Sequence, residues 1–351
     1  MIKSNIIEAV DLFCGVGGLT HGLSNAGINV KLGVDLDPTC RFPMEENNDT
    51  KFRQDDVSKL NAADILNEFA GASITLLAGC APCQPFSTYS QTNINKKPHK
   101  DWRLLDSFSS LVLEVRPTLV TMENVPPLER QPIFNKFVKS LRSNGYHVAY
   151  RVINGSEIGL PQKRKRLVLV ASMLGPIELP QEEMPLVTVR EVISKLPPIA
   201  AGRNHPKDRL HASASLSPLN LERIKHSKPG GTWRDWPEEL VAACHTRESG
   251  ATFPSVYGRM EWDELAPTIT TQCYGFGNGR FGHPEQDRAI SLREAAIIQG
   301  FPEEYAFVPD DQSINFNMLG RLIGNAVPVH LGEYIGGVLV RHVQKCESVG
   351  S

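Results

Sequence analysis

The sequence lacks any long apolar run. No stretch of its 351 residues approaches the roughly 18–20 consecutive apolar residues of a membrane span. Met1 to Asn5 also lack the basic and then apolar order of a secretory signal. Hydrophobic residues make up 41% and charged residues 22% of the chain, as is typical of globular proteins. We therefore expect no membrane partner and a cytoplasmic protein with a sizeable core.

The sequence also lacks an excess of positive charge and a regular set of cysteines. Its net charge is −2, so a DNA-binding protein with this balance must concentrate its basic residues on one face. The seven cysteines are irregularly spaced, which disfavours a disulfide framework. Cys80 and Cys83 form a CxxC, but no second pair completes a metal site. We expect no metal, and a reactive thiol stays open.

Predicted strands and helices alternate over the first ~170 residues. The apolar runs that predict strands are 6–13, 30–34, 74–78, 118–122, 147–152 and 166–171. Amphipathic patterns predict helices over 17–25 and 133–143, where Gly27 and Pro132 supply a stop and a start signal. This alternation predicts an α/β fold with a doubly wound, mostly parallel sheet.

The character of the sequence changes after about residue 175. The following stretch is rich in proline, glycine and polar residues, and helical patterning returns at 292–299 and 328–343. We therefore predict a first domain over 1–175, a smaller and irregular second domain over 176–285, and a return to the first domain over 286–351.

A glycine-rich turn, DLFCGVGG at 11–18, joins the first predicted strand to the first predicted helix. Its first two glycines fit the dinucleotide fingerprint GxGxxG, but Thr20 occupies the third position, so the match to nicotinamide or flavin binding is incomplete. Asp35 ends the next strand, where a carboxylate can accept hydrogen bonds from ribose hydroxyls. Asp56 can reach an adenine amino group. These residues indicate an adenosine-containing cofactor without saying which.

Two further strands end in residues that can carry chemistry. Cys83 lies in GCAPCQPFS at 79–87, where prolines on both sides stiffen the backbone. A thiol presented on a rigid turn is a plausible nucleophile. Glu123 begins ENVPP at 123–127, and a buried carboxyl can be held protonated and act as an acid. Because strand ends of one sheet meet at a crevice, we expect Cys83 and Glu123 to share it.

A basic segment, QKRKR at 162–166, precedes the last strand predicted for the first domain. On an extended segment, alternation would direct Gln162, Arg164 and Arg166 to the same side. Two guanidinium groups on one face suit an anionic or carbonyl-rich ligand. A solvated edge strand would carry the same charges, and the segment alone does not decide between the two interpretations.

The ordered set of motifs resembles the C5-cytosine DNA methyltransferases of bacterial or phage restriction-modification systems. The matching segments are DLFCGVGGL, VDLD, GCAPCQPFS, ENV, QKRKR, REAAIIQGFP and GNAVP. They span the chain apart from roughly 176–255. The resemblance implies the fold of S-adenosylmethionine-dependent methyltransferases. It also implies a recognition domain at 176–285 whose side chains read the target sequence in duplex DNA.

The resemblance further implies a role for each matching residue. Cys83 would attack carbon 6 of a flipped-out cytosine, so that carbon 5 can accept the methyl group of S-adenosylmethionine. Glu123, Arg164 and Arg166 would contact this cytosine. The cofactor-binding residues would be Phe13, Gly15, Gly17, Asp35, Asp56, Asn325 and Val327. The DNA-binding residues would be Gln84, Ser87, Arg103, Gln162 and Arg259, with a mobile loop running from Gln84 to about Arg103.

The expected partner is double-stranded DNA, together with a cognate restriction endonuclease encoded nearby, and we expect the chain to act as a monomer. Three alternatives remain open. A dehydrogenase would explain the glycine-rich turn but leave PCQ, ENV and QxRxR unexplained. An enzyme of the same family acting on tRNA would carry a more compact recognition region than 176–285. A DNA-binding protein without catalysis is disfavoured because Cys83 and Glu123 are both present.

Overall fold

A computed structural model describes residues 6–82, 102–247, 250 and 252–350. These residues form two compact units. The first unit contains the described residues up to Ile158, together with Lys165–Glu183 and those from Val327 onward. The second contains Gly159–Arg164 and the described residues of Met184–Ala326. The chain therefore returns to the first unit at Val327, later than the predicted boundary at 286.

The first unit is built on a sheet whose strand order is β3-β2-β1-β4-β5-β7-β6. The strands are β1 (Ile7–Leu12), β2 (Asn29–Asp35), β3 (Lys51–Gln54), β4 (Ile74–Gly79), β5 (Leu119–Asn124), β6 (His147–Asn154) and β7 (Lys165–Ser172). Neighbouring strands pair in parallel, except that β7 runs antiparallel to both β5 and β6. The predicted α/β fold with a mostly parallel sheet is confirmed.

Helices link the strands and cover both faces of the sheet. They are α1 (Gly18–Asn25), α2 (Arg41–Asn47), α3 (Ala62–Glu68), α4 (Trp102–Val115), α5 (Pro132–Ser143) and, later in the chain, α10 (Val329–Gly350). The connections from β1 to β2 and from β4 to β5 run in opposite directions across the sheet. Right-handed crossovers therefore place α1 and α4 on opposite faces. The carboxyl ends of β1, β2, β4 and β5 meet at one edge, which is where a ligand crevice is expected.

The main hydrophobic core lies between the sheet and helices α3, α4 and α5. Leu77, Val120 and Leu169 from the strands pack against Phe108 and Phe137 from the helices, and the two phenylalanine rings meet edge to face with centroids 5.8 Å apart. Burial of such side chains contributes roughly 1.5–3 kcal/mol each. This core fixes the strand ends that carry the polar residues described below.

Helix α10 packs against α1 through small residues. A Cβ added at Gly22 of α1 would lie 2.3 Å from the carbonyl oxygen of Val329. One added at Gly332 would lie 2.8 Å from the carbonyl oxygen of Leu19, and one at Gly336 would lie 2.5 Å from the Cβ of Ala26. Such distances are far below ordinary van der Waals contact, so glycine at these positions allows the two helix backbones to approach closely.

The second unit contains mostly turns and short elements, as its composition predicts. Its elements are α6 (Val189–Ile193), the β8–β9 hairpin (Asn204–His205 and Asp208–Ala212), α7 (Pro218–His226), α8 (Leu292–Ile298) and α9 (Phe316–Asn325). Arg288 is fully buried and makes a bidentate ion pair of 2.7 Å per contact with Glu294 of α8. Nε of Arg288 also donates to the carbonyl oxygen of Ile199 at 3.2 Å, which ties this segment to an earlier part of the second unit.

Several elements of the first unit lack a sequence signal that the prediction could use. Strand β3 has only four residues and α2 and α3 seven each, so none shows a full period of hydrophobic repetition. Helix α4 follows a long polar stretch and begins at Trp102, so Arg103 belongs to a helix rather than to a loop. None of the described helices has both the length and the apolar character needed to cross a bilayer.

Candidate functional site

The glycine-rich turn leaves β1 at the carboxyl edge of the sheet and enters α1. Phe13, Gly15 and Gly17 have φ angles of 60°, 53° and 86°. The left-handed region is ordinary for glycine, but for Phe13 it costs on the order of 1–3 kcal/mol. A Cβ added at Gly15 would meet no atom within 4 Å. The three residues therefore share a turn that is held in an unusual conformation and leaves open space beside Gly15.

Asp35 ends β2 next to this turn. Its Oδ2 accepts the N–H of Gly15 at 2.9 Å, and its Oδ1 accepts the N–H of Asp37 at 2.9 Å. Burial raises the pKa of the Asp35 carboxyl above its usual value, although the backbone donors oppose this. Leu36, the next residue, is 66% exposed. A carboxylate beside an exposed apolar side chain suits a nucleoside, which has a polar ribose and an apolar base face.

Asp56 follows β3 at the same edge of the sheet. It caps a short 3₁₀ turn by accepting the N–H of Ser58 at 3.0 Å and its hydroxyl at 2.7 Å. These hydrogen bonds lower the pKa of the Asp56 carboxyl. The carboxylate of Asp56 is therefore ionised and held in place. Its contact with adenine stays a prediction.

Asp11 is a buried carboxyl that the motif reading did not single out. It lies in β1 with no exposed surface, and its Oδ2 accepts the hydroxyl of Thr20 at 2.8 Å. Among the described residues, no hydrogen-bond donor reaches Oδ1. Burial raises the pKa of Asp11 to about 7, and the charge of Asp35 adds to the effect. The signal available from sequence was an aspartate inside an apolar strand, which is costly unless it is paired or protonated.

Glu123, at the end of β5, lies between a cation and a thiol. Its side chain is 3% exposed, and its Oε1 forms an ion pair with Nε of Arg166 on β7 at 2.7 Å. Its Oε2 accepts a hydrogen bond from the Cys80 thiol at 2.7 Å. The strand pairings explain the meeting, because β5 lies between β4 and β7 in the sheet. The sequence predicted Glu123 and Arg166 as parts of one site, but it gave no role in that site to Cys80, which was noted only as part of a CxxC.

Asn124 connects β5 to the segment that leads to Cys83. Its side-chain nitrogen donates to the carbonyl oxygen of Ala81 at 2.9 Å, and its side-chain oxygen accepts the N–H of Val125 at 2.9 Å. The backbone N–H of Cys80 donates to the carbonyl of Leu12 at 3.2 Å. The end of β4 is therefore fixed from both neighbouring strands, up to Ala81, two residues before Cys83.

The alternation predicted for Gln162, Arg164 and Arg166 is wrong. Strand β7 starts only at Lys165, and Gln162 and Arg164 belong to the second unit whereas Arg166 belongs to the first. Arg164 is 4% exposed and donates to the carbonyl oxygens of Ile269 at 3.0 Å and Gly324 at 3.3 Å. Its guanidinium is thus held by backbone carbonyls, and contact with a cytosine stays a prediction.

Two residues predicted to contact DNA, Gln162 and Arg259, have buried side chains. Gln162 has no exposed surface; its side chain donates to the carbonyl of Ile298 and to the side-chain oxygen of Gln299, and accepts the N–H of Ile269. Arg259 is 4% exposed and donates to the carbonyls of Ile224, Ser227, His283 and Gln286 and to Asp287. A side chain whose donors are satisfied inside a unit supports the loops of that unit, and contact of these two residues with DNA stays a prediction.

The other predicted residues are placed as follows. Asn325 is the last residue of α9 and is exposed, and Val327 is buried in the first unit. Arg103 is exposed near the start of α4. Cys83, Gln84 and Ser87 lie outside the described residues. Within the described part of the chain, no group of three or more His, Cys, Asp or Glu side chains is arranged to hold a metal ion.

Comparison with known proteins gives a consistent result. Residues 7–341 match the family described as C-5 cytosine-specific DNA methylase. The chain is 48% identical to the Type II methylase M.HgiDII of Herpetosiphon aurantiacus over 95% of each chain. It is 30% identical to the Type II methyltransferase M.Sau96I of Staphylococcus aureus, over 98% of this chain and 78% of that one. The fold resembles that of a prophage-encoded E. coli protein described as a DNA modification methyltransferase, with a TM-score of 0.73 and 24% identity, covering 96% of this chain and 99% of that one.

Proposed function

The chain belongs to the C-5 cytosine-specific DNA methylase family and is a DNA (cytosine-5-)-methyltransferase, and we propose that it acts on a flipped-out cytosine through a covalent adduct with Cys83. The observation that carries this proposal is the arrangement at Glu123. A buried carboxylate at the end of β5 is held by Arg166 and Cys80, beside the strand end that leads to Cys83.

The turn after β1 suits S-adenosylmethionine as the cofactor, which supplies an electrophilic methyl group when bound. The open space beside Gly15 and the partly exposed Asp35 carboxylate next to Leu36 fit its amino-acid and nucleoside parts. Phe13 and Gly17 complete the turn, Asp56 lies at the same edge, and Asn325 and Val327 are the predicted contacts from later in the chain. Methyltransferase relatives generally use this cofactor, which agrees with the fit.

Cytosine carbon 5 is a poor nucleophile, and the proposed role of Cys83 is to change that. Its thiolate adds to carbon 6, and the electron pair of the 5,6 double bond makes carbon 5 nucleophilic. After carbon 5 has gained the methyl group, it loses its proton, the double bond re-forms and the thiolate leaves. A stacked base does not permit this attack, so the cytosine must leave the duplex at a cost of a few kcal/mol.

Glu123 is suited to the pairing edge of the extruded base. The carboxylate must first take up a proton; the carboxyl group can then give a hydrogen bond or that proton to ring nitrogen 3 and stabilise the charge that develops there when Cys83 adds. Arg166 fixes one carboxyl oxygen of Glu123 and acts on the base through it. Arg164 stays a predicted contact to the cytosine carbonyl oxygen. In this scheme the donors are in place before the base arrives, so little reorganisation accompanies the reaction.

We propose duplex DNA, rather than tRNA, as the substrate. The two relatives compared above are named as Type II methylases and align with nearly the whole of this chain, including its long second unit. By the same argument we propose that the chain serves a restriction-modification system with an endonuclease of matching specificity. We further propose that it acts in the cytoplasm as a monomer on a specific DNA sequence, read by loops of the second unit.

The decisive experiment compares Cys83→Ala with Cys244→Ala, which removes an exposed cysteine of the second unit. Bisulfite sequencing of DNA from cells that express each protein reports both the activity and the target sequence. Methylation should persist in Cys244→Ala and disappear in Cys83→Ala. A duplex carrying 5-fluorocytosine at the target should trap wild-type protein in an adduct that survives denaturation, because fluorine does not leave as the proton does. Full activity of Cys83→Ala would refute the mechanism.

A further inference from the structure

A second thiol, Cys80, lies three residues before the proposed nucleophile and has no part in the adduct. It follows β4 directly, and its backbone N–H is fixed by the carbonyl of Leu12 at 3.2 Å. Its side chain is partly buried. The thiol points to the carboxyl group of Glu123, with 2.7 Å between Sγ and Oε2. The position therefore brings a sulfur donor to the acid of the site.

The thiol of Cys80 stays protonated at neutral pH. Burial raises its pKa well above the ordinary value, and the neighbouring Glu123 adds to this effect, while Arg166 opposes it. A thiol with this environment is a poor nucleophile and a poor metal ligand, since both roles need the thiolate. What remains to it is donation of its S–H hydrogen bond, and the acceptor is Oε2 of Glu123.

The geometry at Glu123 shows what a second donor adds. The ion pair with Arg166 holds Oε1 alone, at 2.7 Å from Nε. With only Oε1 held, the carboxyl group can still tilt, because the position of Oε2 is not fixed. A second donor on Oε2 fixes the plane as well as the position. The thiol is a weak donor, but a charged acceptor strengthens the hydrogen bond that it makes.

We propose that Cys80 is a positioning residue, whose S–H···Oε2 hydrogen bond, together with the Arg166 ion pair, fixes the carboxyl plane of Glu123 toward the incoming cytosine. This inference rests on the function proposed above, because Glu123 must be the group that meets the base. Cys80 acts through Glu123 and does not touch the substrate. Its loss should slow the chemical step and leave the binding of cofactor and DNA nearly unchanged.

The test uses three substitutions of Cys80 in the full chain. Cys80→Ala removes the donor and some volume, Cys80→Val removes the donor and keeps an apolar side chain of similar size, and Cys80→Ser keeps a donor with a smaller atom. Each variant is measured for kcat and KM of methyl transfer to a duplex with the target site, for cofactor affinity by calorimetry, and for thermal unfolding.

The expected result is that Cys80→Ala and Cys80→Val lower kcat by about ten- to a hundredfold, as loss of a hydrogen bond to a charged group would. KM and cofactor affinity should change by less than about threefold, and Cys80→Ser should restore most of kcat. A merely structural role would give another pattern: Cys80→Val would then be the better replacement, and kcat would follow the change in Tm.

Two results would overturn the inference while leaving the proposed function intact. One is wild-type kcat in Cys80→Ala. The other is equal loss of kcat in Cys80→Ala and Cys80→Ser at unchanged Tm, which would show that the donor has no role. If wild-type protein itself fails to methylate cytosine in any duplex, the proposed function fails and this inference fails with it. The wild-type measurement therefore separates the two.

Discussion

Replacing Arg166 by methionine should destabilise the first unit far more than an ordinary lost ion pair. The substitution keeps the length of the side chain but removes the guanidinium that lies 2.7 Å from Glu123, whose carboxylate is only 3% exposed. Among the residues that the structure describes, the neutral thiol of Cys80 would then be the hydrogen-bond donor left to it. A buried carboxylate that loses its partner typically costs about 3–5 kcal/mol. That is about two to four powers of ten in the folding equilibrium.

The assay is urea-induced unfolding, followed by far-UV circular dichroism, which reports the sheet and its helices. Lys136→Met serves as the matched control, because Lys136 forms an ion pair of 2.8 Å with Asp106 in the same unit, with both side chains well exposed. Such an exposed pair contributes at most about 1 kcal/mol. The double variant Glu123→Gln with Arg166→Met should recover much of the loss, since no buried charge remains.

Equal and small losses in Arg166→Met and Lys136→Met would refute this reasoning. They would mean that Glu123 gains little from Arg166 in the folded protein. The site would then not be held in advance of the base, and the proposed role of the pair would fall with it.

Two other substitutions test the fold around the cofactor site. Gly22→Ala should lower the free energy of unfolding by about 1–3 kcal/mol, because its Cβ would lie 2.3 Å from the Val329 carbonyl and the two helices must separate; an unchanged Tm would contradict the close packing of the helices. Asp11→Asn should stabilise the protein at pH 8 by up to about 4 kcal/mol, and the gain should vanish near pH 4. The pKa of Asp11 is about 7 in the folded protein and 3.8 in the unfolded chain. The free energy of unfolding of wild type therefore falls as pH rises from 3.8 to 7, and the variant has no carboxyl group there to cause such a fall. An equal difference in the free energy of unfolding between wild type and Asp11→Asn at pH 8 and at pH 4 would contradict the pKa shift.

The parts of the site that follow strands could be predicted from the sequence. Asp35 and Glu123 each end an apolar run, and the carboxyl ends of neighbouring strands meet at one edge of the sheet whatever the side-chain details. The glycine-rich turn could also be predicted, because Gly15 and Gly17 adopt positive φ angles that favour glycine. At these positions the sequence motif and the sheet topology both predict a site at the carboxyl edge of the sheet.

The second unit could not be predicted in the same way, since its loops have no periodicity. Arg259 looks in sequence like any surface cation, and only the surrounding carbonyls, which come from residues at 224, 227, 283 and 286, bury it. Gln162 and Arg164 mislead for a related reason. Extended alternation holds inside a strand, but β7 begins at Lys165, so the rule does not reach them.

The close packing of α10 on α1 also bears on the order in which the chain is made. Gly22 leaves the ribosome some three hundred residues before its contacts Val329 and Gly332. During synthesis, the side of α1 that packs against α10 therefore stays unburied while the second unit is made. Contacts between such distant parts of a chain form slowly. A chain that has been made only as far as the second unit should therefore leave this side of α1 exposed to solvent.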